Sequence, residues 1–243
     1  MTKAQEYFQN LNETLSKAQE SQAEKVEEAA RICADSLAAD GYLYTFGTGH
    51  SHLLAEEIFY RAGGLVRIFP LEDDALMLHT GASRSSQFER IAGFASILLT
   101  SSPAKAGDVI FVFSNSGRNT MPVEMAMKAR EMGLKTICIT SFAHAATVSS
   151  RHESGKKLGE VCDIALDNCG SPGDSCVNLG ELQMGPTSTV VGAALLQDIV
   201  CRTAELLEER GISPEVFASA NVDGGDRKNA AYLAKYKEKI NIL

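Results

Sequence analysis

Two segments of the chain concentrate hydroxyl, amide and glycine residues: Gly47-Thr48-Gly49-His50-Ser51, and Ser114-Asn115-Ser116-Gly117-Arg118-Asn119-Thr120. Each stands just ahead of a helix-forming stretch. The first N–H groups of a helix have no partner inside it, and the helix dipole favours negative charge at that end, so loops of this composition suit a phosphate or carboxylate. Capping a helix takes one Ser or Asn, whereas the second segment holds two serines, two asparagines and a threonine. The first segment, on its own, is equally a conformational Gly- and Ser-rich turn. Together they nominate Gly49, Ser51, Ser114, Ser116, Asn119 and Thr120 as donors to an anion. Two groups could move protons beside them. His79 adjoins the flexible Thr80-Gly81 pair, and an imidazole titrates near neutral pH. Glu181 precedes Gly185-Pro186-Thr187 and could project towards the same loops. A surface or core-edge histidine and a solvated loop glutamate are the alternatives. Arg151, His152 and Lys156, in the polar run Ser149 to Leu158, are either part of a solvated surface loop or a lid over a ligand.

Strands and helices must bring these residues together. Tyr42 to Phe46, Leu65 to Phe69, Asp108 to Phe113, Lys135 to Thr140 and Val161 to Leu166 are short runs rich in apolar and β-branched residues and read as buried strands. Leu53 to Ala62, Ser86 to Thr100, Met121 to Met132 and the stretch from Pro186 through Leu207 read as helices. Glu56 and Glu57 read as solvated first-turn acids. The alternation predicts an α/β fold: a three-layer αβα sandwich on a doubly wound, five-stranded parallel sheet, with both hydroxyl loops at its carboxyl edge. Residues 167–185 read as loop, and a basic helix from Asn229 to Lys239 ends the chain. Ahead of the sheet, Ala4, Phe8, Leu11, Leu15, Ala18, Val26, Ala29, Cys33 and Leu37 mark a long amphipathic helix or a broken pair, stopped at Asp40-Gly41. This stripe exceeds what one sheet face needs, and it predicts a homodimer or homotetramer with sites near subunit boundaries. The organisation that follows is an N-terminal helical extension over 1–40, a binding domain over 41–210 and a C-terminal tail over 211–243.

At 243 residues, 44% hydrophobic and 22% charged, the chain suits one large domain. It has no apolar run of about 18 residues, so no membrane span is expected. Its polar start lacks a signal peptide's apolar core, which points to the cytoplasm. A net charge of −8 argues against a nucleic-acid or anionic-membrane partner. Six cysteines at 33, 138, 162, 169, 176 and 201 form no C-x-x-C pair and read as free thiols. The histidines lack a local zinc spacing, so neither metal nor other cofactor is expected.

Gly47-Thr48-Gly49-His50-Ser51, followed about sixty residues later by Ser114-Asn115-Ser116-Gly117, resembles the paired phosphate loops of the SIS (sugar isomerase) domain family. Pro186-Thr187-Ser188-Thr189 resembles a third element of that family, notably in its arabinose-5-phosphate isomerase branch, and adds Thr187 to the phosphate-binding set. The match covers roughly residues 40 to 205. The resemblance implies a phosphorylated sugar as ligand. It implies an aldose–ketose isomerase of the phosphoheptose isomerase class or, as a second class, a non-catalytic phosphosugar sensor. Such an isomerase needs a base to carry a proton between C1 and C2 and a donor to stabilise the cis-enediolate. Glu181 stands where the related glucosamine-phosphate synthase domain has a glutamate, and His79 lies in Asp74-Ala75-Leu76-Met77-Leu78-His79-Thr80-Gly81, which is similar to the arabinose-5-phosphate branch. The sequence departs from the family in two places. The acidic residue usual after that glycine is absent. Arg61 fills the position, ten residues after Ser51, where phosphoheptose isomerases and muramic acid phosphate etherases carry glutamate; arginine there resembles the hexulose-phosphate isomerase branch.

Overall fold

The computed structural model describes residues 1–243. Five short strands, β1 (Leu43–Gly47), β2 (Ile68–Pro70), β3 (Val109–Phe113), β4 (Lys135–Thr140) and β5 (Ile164–Asp167), form one parallel sheet in the order β2-β1-β3-β4-β5. Side chains alternate along each strand, so the sheet divides the core in two. Leu43, Phe111, Phe113, Ile137 and Ile139 face α1 (Lys3–Ala38), α2 (His52–Glu57) and α8 (Ser188–Glu209). Tyr42, Tyr44, Phe46, Ile110, Val112 and Cys138 face α4 (Phe94–Thr100), α5 (Thr120–Glu131), α7 (Leu158–Val161) and α9 (Gly225–Tyr236). Helices on both faces explain why β1 and β3 are buried along their whole length, as parallel strands are. The remaining elements are α3 (Leu78–Phe88), α6 (Phe142–Ala146) and an antiparallel hairpin of β6 (Val177–Leu179) and β7 (Leu182–Met184). This is the three-layer, doubly wound architecture expected, and no helix is long and apolar enough to cross a membrane.

The N-terminal segment is one unbroken helix of 36 residues, about 54 Å long at 1.5 Å per residue. A reciprocal capping box starts it: the Gln5 N–H donates to Thr2 Oγ1 at 3.2 Å, and the Thr2 N–H to Gln5 Oε1 at 2.8 Å. Small residues on its buried face, Ala29, Ala30, Cys33 and Ala34, let α1 lie close along Ile199, Thr203 and Leu206 of α8.

Several local expectations change. The fifth strand starts at Ile164, because Val161 ends α7, and the last helix spans Gly225–Tyr236 rather than 229–239. The helix after the first loop ends at Glu57 rather than Ala62, because the chain beyond it pairs with the tail. Gly63 N–H donates to the Phe217 carbonyl at 2.8 Å, Val66 N–H to that of Glu215 at 2.9 Å, and Leu65 bridges Val216. Consequently the second strand begins only at Ile68, and Pro70 lies inside it, tolerated because β2 is an edge strand. The helix expected over 86–100 is split between α3 and α4, and the Glu124 carboxylate binds the Gly93 N–H at 2.9 Å and Ser96 Oγ at 2.7 Å where α4 starts. The segment 167–185, read as loop, contains the β6–β7 hairpin.

Candidate functional site

From β1 the chain crosses to β2 on one side, and from β3 to β4 on the other, so a crevice opens between the carboxyl ends of β1 and β3. Both hydroxyl loops meet there. In the first loop Gly47 lies so close to the returning chain that an added Cβ would run into the Ser51 carbonyl. In the second, Gly117 has φ 60°, and its N–H reaches back 3.2 Å to Ser114 Oγ. The left-handed turn is one that glycine adopts without strain. His50, Ser51, Leu54, Ser114, Asn115, Ile139, Asn168, Asp174, Ser188 and Thr189 enclose a cavity of about 110 Å³.

The floor of this cavity is fixed by a chain of bonds across three strand ends. Asn168 Nδ2 donates to Asn115 Oδ1 at 2.8 Å, Gly170 N–H to Asn168 Oδ1 at 2.9 Å, and Thr140 Oγ1 and the Ser141 N–H to the Asn115 carbonyl at 3.1 and 2.9 Å. The Ser114 hydroxyl only accepts from the loop, so its own proton is free to donate. No lysine or arginine lines the cavity; His50 is its one basic residue and Asp174 its one acid. It is therefore a site of neutral donors, the kind that grips an oxyanion by hydrogen bonds rather than by ion pairing.

The third hydroxyl element carries an internal anion. Asp174 Oδ1 accepts from the Thr187 and Ser188 N–H groups at 3.2 and 3.1 Å, and its Oδ2 from Ser188 Oγ at 2.5 Å. Its carboxylate thus caps α8 where the sequence placed a ligand phosphate, from a left-handed backbone of φ 53°. Thr187 is buried, with its N–H already engaged.

Behind the first loop stands a residue that sequence reasoning passed over. Glu89, in the turn after α3, accepts from Thr48 Oγ1 at 3.0 Å and from Asn119 Nδ2 at 2.7 Å, and so ties the two loops together. Burial pushes its carboxyl above the usual range, although Thr48, Arg90 and Arg151 pull it down. The Arg151 guanidinium donates to Asn119 Oδ1 at 2.7 Å and lies near the charges of Arg118 and Arg90. Arg118 Nε is buried without a partner.

The remaining expected residues are dispersed. Ser51 and Ser114 line the cavity, whereas Ser116, half-buried, stands beside it. Gly49 forms the short 3-10 turn ahead of α2, and its carbonyl receives the His52 ring. Asn119 faces Glu89, and Thr120 Oγ1 donates to the Arg151 carbonyl at 3.3 Å, joining the second loop to the 149–158 segment. His152 turns to Ser154 Oγ at 2.8 Å. His79 is exposed in the first turn of α3, and Glu181 is exposed at the tip of the β6–β7 hairpin; neither lines the cavity. Glu57 pairs with Arg61, while Glu56 adjoins Glu72 and His52, where burial and the Glu56 charge raise the Glu72 carboxyl. No three His, Cys, Asp or Glu side chains gather as a metal site. Asn115 was within the sequence motif, but Asn168 and Asp174 carry no local signal beyond the Gly173-Asp174 turn.

A sheet of this order with paired hydroxyl loops at its switch point defines a class. Residues 6–141 match the SIS domain, and the chain belongs to that family. Within it, the sequence runs almost end to end with UPF0309 proteins. It is 40% identical over 240 residues to one from Geobacillus thermodenitrificans, covering 98% of this chain and 96% of the relative. It is 42% identical over 226 residues to one from Listeria innocua, covering 92% of each. Among solved structures, phosphoheptose isomerase GmhA from Neisseria gonorrhoeae superposes with a TM-score of 0.51 at 17% identity, over 83% of this chain and 95% of that one. A phosphoheptose isomerase from Francisella tularensis gives 0.52 at 15%, over 86% and 100%. At these identities the likeness is one of fold.

Proposed function

We propose that this chain binds a phosphorylated sugar in the β1/β3 crevice and interconverts its aldose and ketose forms. The supporting observation is the cavity walled by Ser51, Ser114, Asn115 and Asn168, whose neutral donors converge where the fold leaves its binding crevice. Ser51, Ser114 and the Gly49 turn would take the phosphate. Ser116, Asn119 and Thr120 support the second loop, Arg151 and His152 form the covering segment, and Thr187 joins the set when Asp174 gives way. Each neutral donor to a charged acceptor contributes about 1.5 to 3 kcal/mol. For the proton transfer, Glu89 is favoured over Glu181, because a desolvated carboxyl of raised pKa adjoins both phosphate loops. Glu181 and His79 would serve a crevice reached from a neighbouring copy, consistent with a homodimer or homotetramer. A phosphosugar sensor is the second reading, and it is favoured by one observation: His50 and Asp174 are the only titratable groups on the cavity wall.

The experiment has two arms. Calorimetry with hexose, pentose and heptose phosphates on the wild type, Ser51→Ala and Ser114→Ala should show binding that each variant weakens about tenfold or more; affinities that do not move would remove the phosphate assignment. Solvent-deuterium incorporation at C1 or C2 of the bound sugar should be lost in Glu89→Gln. Loss in Glu181→Gln or His79→Asn instead would transfer the role, and no exchange by the wild type would leave the sensor.

A further inference from the structure

The largest cavity described is not at the phosphate loops. It lies at the opposite end of the sheet, near the amino ends of β1 and β3, beneath the end of the C-terminal tail, and measures about 620 Å³. Tyr42 and Tyr44 form its floor, with Lys105 on one wall and Lys239 on another. A second hollow of about 390 Å³ shares Ser101, Ser102, Pro103 and Asn241 with it and continues along Phe69, Leu98 and Ile242. These sizes are in the range of small-molecule sites, roughly 300 to 1,000 Å³.

What marks this space as built for a ligand is its two phenols. Tyr42 is 8% exposed and Tyr44 1%. Tyr236 nearby bonds Glu215 through its hydroxyl, but the hydroxyls of Tyr42 and Tyr44 bond nothing in the chain. Buried polar groups are almost always partnered. The only side-chain atoms sealed from solvent without a partner are Ser36 Oγ and Arg118 Nε, so the two phenol oxygens open onto the cavity they line. Burial raises both phenol pKa values, which keeps them protonated as donors. The charges beside them are mixed. Lys105 and Lys239 have no ion pair, Glu238 is exposed at the mouth, Asp40 is fully exposed and 3.8 Å from an Arg67 that Glu215 holds at 3.2 Å, and the buried Asp108 carboxylate acts on both phenols.

We propose that this cavity is a second ligand site, separate from the phosphosugar crevice, for a small amphiphilic organic anion. Its carboxylate or phosphate head is held by the Tyr42 and Tyr44 hydroxyls with Lys105 and Lys239, and its apolar body lies along Phe69, Leu98 and Ile242. Two donors plus two cations fit an anionic head, and the adjoining apolar hollow gives it a direction.

The test uses the full chain with 4-phenylbutyrate, octanoate and hexyl phosphate as probes and neutral 4-phenylbutyramide as control. The chain has six tyrosines and no tryptophan, so tyrosine labelled with 13C at Cζ gives a short spectrum in which Tyr42 and Tyr44 are assigned by Tyr→Phe substitution. At least one anion should bind once per chain with a Kd on the order of 1 mM or below and shift those two signals. Carboxylate and phosphate arms distinguish the head group. Tyr42→Phe with Tyr44→Phe should raise that Kd about tenfold with the other tyrosine signals in place. The exposed Lys105→Ala should weaken the anions and not the amide, and Ser51→Ala should leave the probe-induced shifts of the Tyr42 and Tyr44 signals unchanged. Absence of binding by every probe at about 10 mM overturns the proposal. So does an affinity unmoved by the double variant, or one abolished by Ser51→Ala.

Discussion

Glu89 is held in a form that costs the fold stability at neutral pH. Its carboxyl is raised by burial, so folding favours its protonated form relative to the unfolded chain. The contribution of this group is greatest below the ordinary carboxylate pKa and is lost as pH rises through the raised value. Glu89→Gln, nearly isosteric, removes that loss. Its Tm at neutral pH should equal or exceed the wild type's, with a flatter pH dependence above the ordinary carboxylate range, while turnover falls about a hundredfold or more. A variant that unfolds early at pH 7 would make Glu89 a structural brace instead. Gly47→Ala should act in the opposite sense, retaining the sheet but displacing the Ser51 backbone, so that calorimetry detects no phosphosugar binding. The first loop was legible in sequence because its signal is local: glycines and hydroxyls in five consecutive positions. Glu89 was not, because its partners are remote. Thr48 lies 41 residues away and Asn119 lies 30, and the desolvation that tunes it exists only once α3 has docked.

At the scale of elements, α1 and α8 are clamped by Arg202, which reaches Glu27 at 2.6 Å and Glu205 and Glu209 on its own helix at 2.6 and 2.9 Å. Arg202, and after it Arg31, lower the Glu27 carboxyl from 4.5 to about 2. The stabilisation is therefore present above the ordinary carboxylate pKa and is lost as pH falls through the window from 4.5 to about 2. Glu27→Gln should flatten the decline of Tm across that acid window and leave its behaviour above it parallel to the wild type's. An unchanged acid slope in differential scanning calorimetry would mean that solvent screens the pair completely. Strands β1, β3 and β4 could be read from sequence because helices cover both faces and their cores are almost uninterrupted apolar runs. The end of α2 and the start of β2 could not, since residues 215–217 decide both by pairing with 63–66. The hairpin escaped for a different reason. Leu179, Leu182 and Met184 stand 52, 67 and 52% exposed, so no buried face gives its strands the alternation by which strands are recognised.

For the whole molecule, those apolar side chains and Phe8, 62% exposed on α1, are surface that an isolated chain would leave in water. The self-association proposed above should bury them. Leu182→Glu should therefore shift the mass found by light scattering towards 26.1 kDa, and a wild type already at that mass would end the idea. The contact between α1 and α8 also sets a timetable for biosynthesis. Glu27 and Arg202 are separated by 175 positions, and chains elongate at about 5 to 20 residues per second, so α1 leaves the ribosome roughly ten to thirty seconds before its partner exists. During that interval a 36-residue helix carries an uncovered apolar stripe, a natural target for a chaperone on the nascent chain. Slowing translation between residues 40 and 188 should increase co-translational aggregation or chaperone capture, whereas slowing it after α8 has emerged should not.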